Sequence, residues 1–218
     1  MVHYPPLDLS HFQKGERDQG LRKSLGLKAE DRVLTYMGSF FYFSGLADAL
    51  KEFANLVATD RNLKFLLIGG GEQDSELRKL VLDLGIQGQV VFTGFIAYQE
   101  LPRYLKVADV AVNTLEPTLV ANVAFPNKVL QYLAAGLPVV STKLEGLLSV
   151  FHNQKSVTWA EDARAVIRDA IQIKEKRIVA PRATSIDSSD SVLSIFEPEI
   201  TASLFEASLT DLAQRSIV

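Results

Sequence analysis

The sequence predicts a doubly wound α/β sandwich, and three observations predict it. Short apolar runs recur between residues 33 and 160, and several close on glycine. Stretches with apolar residues at helical spacing separate them. The runs are continuously apolar rather than alternating, the pattern of parallel strands covered on both faces.

The elements follow in order. VLTYMG (33–38) reads as the first buried strand. SGLADALKEFANLVA (44–58) follows as a helix, with Leu46, Leu50, Phe53, Ala54 and Val57 on one stripe. LKFLLIGGG (63–71) is a strand running into a tight turn. DSELRKLVLDLG (74–85) is an amphipathic helix with an Asp or Ser cap and a closing glycine. QVVFTG (89–94) is a strand, and YQELPRYLKVA (98–108) is helical with Pro102 near its first turn. DVAVNT (109–114) is a strand, and PNKVLQYLAAG (126–136) is a helix opened by Pro126 and closed by Gly136. PVVST (138–142) and SVTWA (156–160) complete the strands, before a helix over 161–176. Right-handed crossovers turn this series into a Rossmann-like sandwich.

The flanks read differently. Residues 1–30 form a turn-rich lead-in, extended at Pro5 and Pro6, with a short helix around 22–25 ended by Gly26. The sandwich occupies 31–176, and 177–191 reads as a mobile linker. The segment 192–218 carries a helix at 199–214, striped by Leu204, Phe205, Leu209 and Leu212. A lone helix needs a surface to pack on.

Composition narrows the function classes. The chain has 218 residues, 47% hydrophobic and 22% charged, which suits an ordinary globular protein with one α/β domain. A net charge of −3 gives no general surface for nucleic acid or anionic membrane. There is no cysteine, and His3, His11 and His152 lack metal-ligand spacing, so no metal is expected. No apolar run approaches the roughly 20 residues of a membrane span, and the N-terminus is no signal peptide. A cytoplasmic protein is the expectation.

In such sheets ligands bind beyond the carboxyl ends of the strands. Four loops there stand out: Gly38-Ser39-Phe40, Gly69-Gly70-Gly71-Glu72, Thr93-Gly94-Phe95 and the stretch from Glu116 to Lys128. Glycines let a ligand approach the backbone and helix N-termini favour phosphate, so the pattern suits a phosphorylated ligand. The same glycines also read as plain turn formers. GGGEQ lacks the G-x-G-x-x-G dinucleotide spacing. Lys128, just inside a helix N-terminus, repels the helix dipole unless an anion lies nearby, or is simply solvated there. Gln131 shares its face and suits ribose hydroxyls or solvent equally. Glu72 and Glu116 are carboxylates at the ligand edge, each able to accept a sugar hydroxyl or simply solvated, and Glu145 opens another loop with the same two readings. No Ser-His-Asp set and no catalytic carboxylate pair emerges, so catalytic residues stay unassigned and His152 reads as structural.

The series VLTYMGSF, SGLADALKEF, LKFLLIGGGEQDSELRKL, VVFTGFIAYQELPRYLKVADVAV and FPNKVLQYLAAGLPVVST resembles the C-terminal domain of retaining GT-B glycosyltransferases of family 4. LDLSHFQ and LRKSLGL resemble that family's interdomain connection, and the likeness covers roughly residues 5–176. The resemblance implies a nucleoside-diphosphate sugar as donor substrate, with no cofactor besides. The base would lie against Thr93 to Ile96, with Gly94 and Phe95, and the pyrophosphate and ribose at the helix opened by Pro126. It also implies an N-terminal acceptor-binding domain outside this sequence, through which alone any peripheral membrane contact would run. A chain lacking that half is expected to transfer no sugar by itself.

Departures from the family pattern are specific. Its usual arginine and lysine near the first strand correspond to Ser39 and Ser44, and its two glutamates to Val123 and Gln131. Pro126-Asn127-Lys128 matches the P-x-K element of some relatives, which makes Asn127 and Lys128 site candidates and Lys128 the surviving cation. Two alternatives stay open: a non-catalytic nucleotide-sugar-binding relative with a degenerate site, and a nucleotide-sugar epimerase of the same fold. A phosphorylated receiver domain is excluded, because the first strand ends in Gly38-Ser39 without an acid cluster.

Overall fold

The computed structural model describes residues 8–13, 15–118, 121 and 127–173. Six parallel strands form one sheet: β1 (Arg32–Ser39), β2 (Leu63–Gly70), β3 (Val90–Gly94), β4 (Val110–Asn113), β5 (Val139–Thr142) and β6 (Val157–Ala160). Their order is β3-β2-β1-β4-β5-β6, the doubly wound arrangement expected from the apolar runs. The winding reverses between β1 and β4, the switch point beyond whose carboxyl ends sheets of this kind bind ligands.

Eight described helices flank the sheet: α1 (Leu9–Gln13), α2 (Gln19–Ser24), α3 (Leu46–Val57), α4 (Asp74–Asp83), α5 (Leu101–Lys106), α6 (Asn127–Ala134), α7 (Glu145–Phe151) and α8 (Ala163–Ala170). Side chains alternate across each strand, and the two sets build two cores. Val33, Met37, Ile68, Ala111 and Val139 pack with Leu105, Val129, Leu130, Leu147 and Phe151 on one face. Leu34, Tyr36, Phe65, Leu67, Val112 and Val140 pack with Leu50, Phe53, Leu77, Val166 and Ile167 on the other.

The lead-in is fastened to the sandwich. Phe12 is fully buried, and the Lys106 ammonium donates to the carbonyls of Gln13 (2.8 Å) and Gly15. Arg22, also buried, donates to the carbonyls of Val107 (2.6 Å), Lys28 (2.6 Å) and Asp31 (3.0 Å). Arg17 pairs with Asp109, whose second oxygen accepts the Val33 N–H at 2.8 Å. Carbonyls left over at helix ends and turns thus find charged donors.

Some local expectations change. Helix α4 starts at Asp74 with no side-chain cap. Asp74 instead pairs with Arg78 one turn on, which removes it from the first N–H groups. The helix expected over 44–58 begins at Leu46, after a 3-10 turn at Tyr42–Ser44, and the one over 98–108 opens as a 3-10 turn at Tyr98–Glu100. The short lead-in helix starts earlier than expected, at Gln19, capped by the Asp18 carboxylate on the Leu21 N–H. Helices α1 and α7 were not expected. Pro5, Pro6, Pro126, the linker 177–191 and the segment 192–218 lie outside the described residues.

Candidate functional site

The carboxyl edge of the sheet gathers the predicted residues on three strand ends and one helix start. Gly38 and Ser39 end β1, Gly70 ends β2 with Gly71 and Glu72 behind it, and Gly94 ends β3 ahead of Phe95. Glu116 follows β4 in the crossover, while Asn127, Lys128 and Gln131 lie on α6. Asn127 is exposed and Gln131 half-buried.

Backbone contacts knit these loops together. The Glu72 carboxylate accepts the Tyr42 N–H at 3.4 Å, and the Glu116 N–H donates to the Phe43 carbonyl at 2.9 Å. Both acids are exposed and flank the aromatic loop Phe41–Phe43, in which Phe41 stacks on Phe43 at 5.2 Å. Phe95 is 80% exposed and its ring lies over Gly70. Not every glycine serves an open approach. A Cβ on Gly71 would meet the Phe40 backbone nitrogen at 2.8 Å, so this glycine fits the chain's own packing.

Of the two readings of Lys128, a lysine poised for an anion or a solvated first-turn lysine, the structure does not match the freely solvated one. Helix α6 packs on one face of the sheet, yet the Lys128 side chain reaches past the end of β1 to Tyr36, which belongs to the other face. Gly38 makes this crossing possible: a Cβ there would stand 3.1 Å from Lys128 Nζ and 3.9 Å from the Tyr36 hydroxyl. The amine donates to Tyr36 Oη at 2.9 Å and stands 4.0 Å from the centre of its ring. Tyr36 Oη in turn donates to the Ser39 carbonyl at 3.1 Å. Among the described residues no carboxylate pairs with this amine, and desolvation brings its pKa down from 10.5 to about 7. Burial pushes the Tyr36 phenol well above its usual range.

Tyr132, one turn further along α6, accepts the Met37 N–H at 2.6 Å and ties the helix to β1. Neither tyrosine was singled out from the sequence, where Tyr36 is one position of the apolar run 33–38 and Tyr132 one position of the helix over 126–136. The available signal was chemical: a buried phenol needs a hydrogen-bond partner, and Tyr36 stands two residues from Gly38 on the same strand face.

Ser44 takes no part in ligand approach. It is buried, its carbonyl accepts from the Thr114 hydroxyl at 2.7 Å, and its own hydroxyl faces the Leu46 N–H at 3.4 Å. Ser39 is exposed and uncharged. Among the described residues no three His, Cys, Asp or Glu side chains converge as a metal group, and no helix is long and apolar enough to cross a membrane.

Comparison with known proteins bears on the family and the fold. An uncharacterized glycosyltransferase of Methanocaldococcus jannaschii is 27% identical over 146 residues, covering 66% of this chain and 35% of that protein. The N-acetyl-alpha-D-glucosaminyl L-malate synthase of Bacillus anthracis is 26% identical over 195 residues, covering 88% of this chain and 49% of the relative. The chain thus spans less than half the length of these relatives. Among solved structures, Anabaena HepE in complex with UDP and glucose superposes with a TM-score of 0.76 at 18% identity, over 96% of this chain and 56% of that one. The C-terminal domain of a group 1 glycosyl transferase, LpcC from Francisella tularensis, superposes with a TM-score of 0.65 at 14% identity, over 88% of this chain and 99% of that domain. The family model described as glycosyl transferases group 1 matches residues 31–175, the whole described sandwich. The chain belongs to the group 1 glycosyl transferases and has the Rossmann-like fold of one half of a GT-B enzyme.

Proposed function

We propose that this chain is the donor-binding half of a glycosyltransferase, holding a nucleoside-diphosphate sugar over the switch point between β1 and β4. The observation that carries the reading is the Lys128 amine, delivered past Gly38 to the end of β1 with no acid among the described residues to pair with. A diphosphate above the Gly38-Ser39 turn would meet this amine and the first N–H groups of α6. The base would lie against Gly94 and Phe95, and Gln131 would reach the ribose. The likeness to a protein crystallised with UDP and glucose supports this choice of ligand.

In transfer, negative charge grows on the diphosphate as the sugar leaves. Fixed positive groups at that place lower the barrier, and the rest is positioning. No side chain here is assigned to attack or to proton transfer, and the reading needs no cofactor beyond the donor. The acceptor would be held by a second domain outside this chain, so the chain alone is expected to transfer no sugar.

A thermal-shift panel of UDP-glucose, GDP-mannose and related donors tests binding, since a ligand of the native state raises its stability. Calorimetry at pH 6.5, where the amine is mostly charged, then tests the site. Lys128→Ala is expected to weaken binding about 10- to 100-fold, as befits a charge-assisted contact of ~1.5–3 kcal/mol, and Gln131→Ala less. Equal affinity in Lys128→Ala and the parent would overturn the placement of the diphosphate.

A specific observation favours one second reading, a nucleotide-sugar-binding relative without turnover. The positions matching the family's arginine and lysine are occupied by uncharged Ser39 and by buried Ser44, whose carbonyl accepts from the Thr114 hydroxyl. Donor binding without transfer in the full two-domain protein would single out this reading.

A further inference from the structure

We propose that Tyr36 is a positioning residue which holds the Lys128 amine withdrawn beside the Gly38-Ser39 turn, so that binding of a diphosphate donor draws in a proton and weakens as pH rises. This rests on the donor-binding reading above.

Three features of the geometry lead to it. Lys128 is partly buried, with its amine held over the Tyr36 ring beside Gly38, and among the described residues the groups facing it from packed elements are not acids. From β1 these are the Tyr36 ring, the Tyr36 hydroxyl and Gly38; on its own helix Tyr132 is occupied with the Met37 backbone. A carboxylate partner would hold the lysine protonated, whereas none among the described residues does.

The direction of the hydrogen bonds also suits a neutral amine. The Tyr36 hydroxyl gives its proton to the Ser39 carbonyl and therefore accepts from Lys128. A neutral amine still has N–H bonds to donate, so losing the charge does not break the chain. Burial then decides, and the amine titrates near pH 7.

A diphosphate at the Gly38-Ser39 turn supplies the missing counter-charge. It favours the ammonium, and the proton comes from solvent: amine plus H⁺ gives ammonium, with no other bond made or broken. With the free amine titrating at about 7, affinity falls about tenfold per pH unit above neutrality while the bound form stays protonated. Below pH 7 it levels off.

The test uses this chain and UDP-glucose, whose bridging phosphates carry no ionisation in the range studied. Affinity is measured at pH 6.5 and 8.5, and binding heats at pH 8 are compared in phosphate and Tris, which differ in ionisation enthalpy. The expected result is binding weaker by about 25-fold at pH 8.5, with uptake of close to one proton at pH 8. Lys128→Arg, always charged, is expected to bind with flat pH dependence and no uptake. Tyr36→Phe keeps the ring but loses the acceptor, and is expected to move the midpoint of the pH profile; a merely structural role would lower stability and leave that midpoint in place. Equal affinity at the two pH values in the parent chain, or the same proton uptake in Lys128→Arg, overturns the proposal while leaving donor binding intact. Absence of any binding at pH 6.5 instead overturns the donor-binding reading.

Discussion

The Phe95 ring rests on Gly70, with its nearest carbon 3.1 Å from the place a Cβ would occupy on that glycine. Phe95 is otherwise exposed, so its pose depends on the bareness of the strand end beneath it.

Gly70→Ala is therefore expected to tilt the ring and leave the fold nearly intact, costing about 1 kcal/mol or less, since the exposed ring can swing away. If the base of the donor lies there, affinity for UDP-glucose drops several-fold. Gly69→Ala is the contrast. Its Cβ would overlap the Gly38 carbonyl oxygen and its φ is +125°, so a loss of about 3 kcal/mol or more is expected. Urea unfolding of both variants, beside calorimetry of the first, checks the pair.

Stability should depend on pH through Lys128. Its amine has a pKa near 7 in the folded chain, against an ordinary 10.5. Between those values the unfolded chain binds more protons, so the folded state gains stability as pH rises through that window. Lys128→Met keeps the stem and removes the titration. The melting temperature of Lys128→Met minus that of the parent should shrink from pH 6.5 to 9.5. A constant difference would show that the amine stays charged and solvated.

Arg22 closes three backbone carbonyls in the buried lead-in contact. Arg22→Met fills much of the space but leaves those oxygens without donors, at a cost of about 3 kcal/mol. Denaturant midpoints measure this, and a change below about 0.5 kcal/mol would mean that water replaces the guanidinium.

Asp162 caps α8 by accepting the Ala165 N–H at 2.7 Å. Asp162→Ala should cost about 1 kcal/mol and Asp162→Asn much less, because an amide oxygen caps nearly as well. Thermal unfolding of the two side by side tells capping from charge.

The sheet was legible because its chemistry is written locally. Buried parallel strands leave no polar alternation, so 33–38, 63–68 and 109–113 declare themselves as apolar runs. Helices α1 and α7 were not legible. Helix α1 has five residues and owes its place to Phe12 and to Lys106, distant in sequence. Helix α7 is seven residues long and carries Gly146 and Val150, poor helix formers held by the burial of Leu147 and Phe151. At the site, the position of Lys128 could be read from PNK, but its direction could not. That direction needs the strand order, which puts β1 beside β4, and the empty side of Gly38, which lets the chain cross the sheet edge.

The lead-in packs as part of the sandwich although the family match begins only at residue 31. A fragment cut at residue 31 would keep every strand of the sheet, yet it would strip Phe12 from its socket. The Val107 and Ala108 carbonyls would lose the guanidinium groups of Arg22 and Arg17. Such a fragment would present a fresh apolar scar beside α5 and α6, and would be expected to aggregate in preparations where the longer chain stays dispersed.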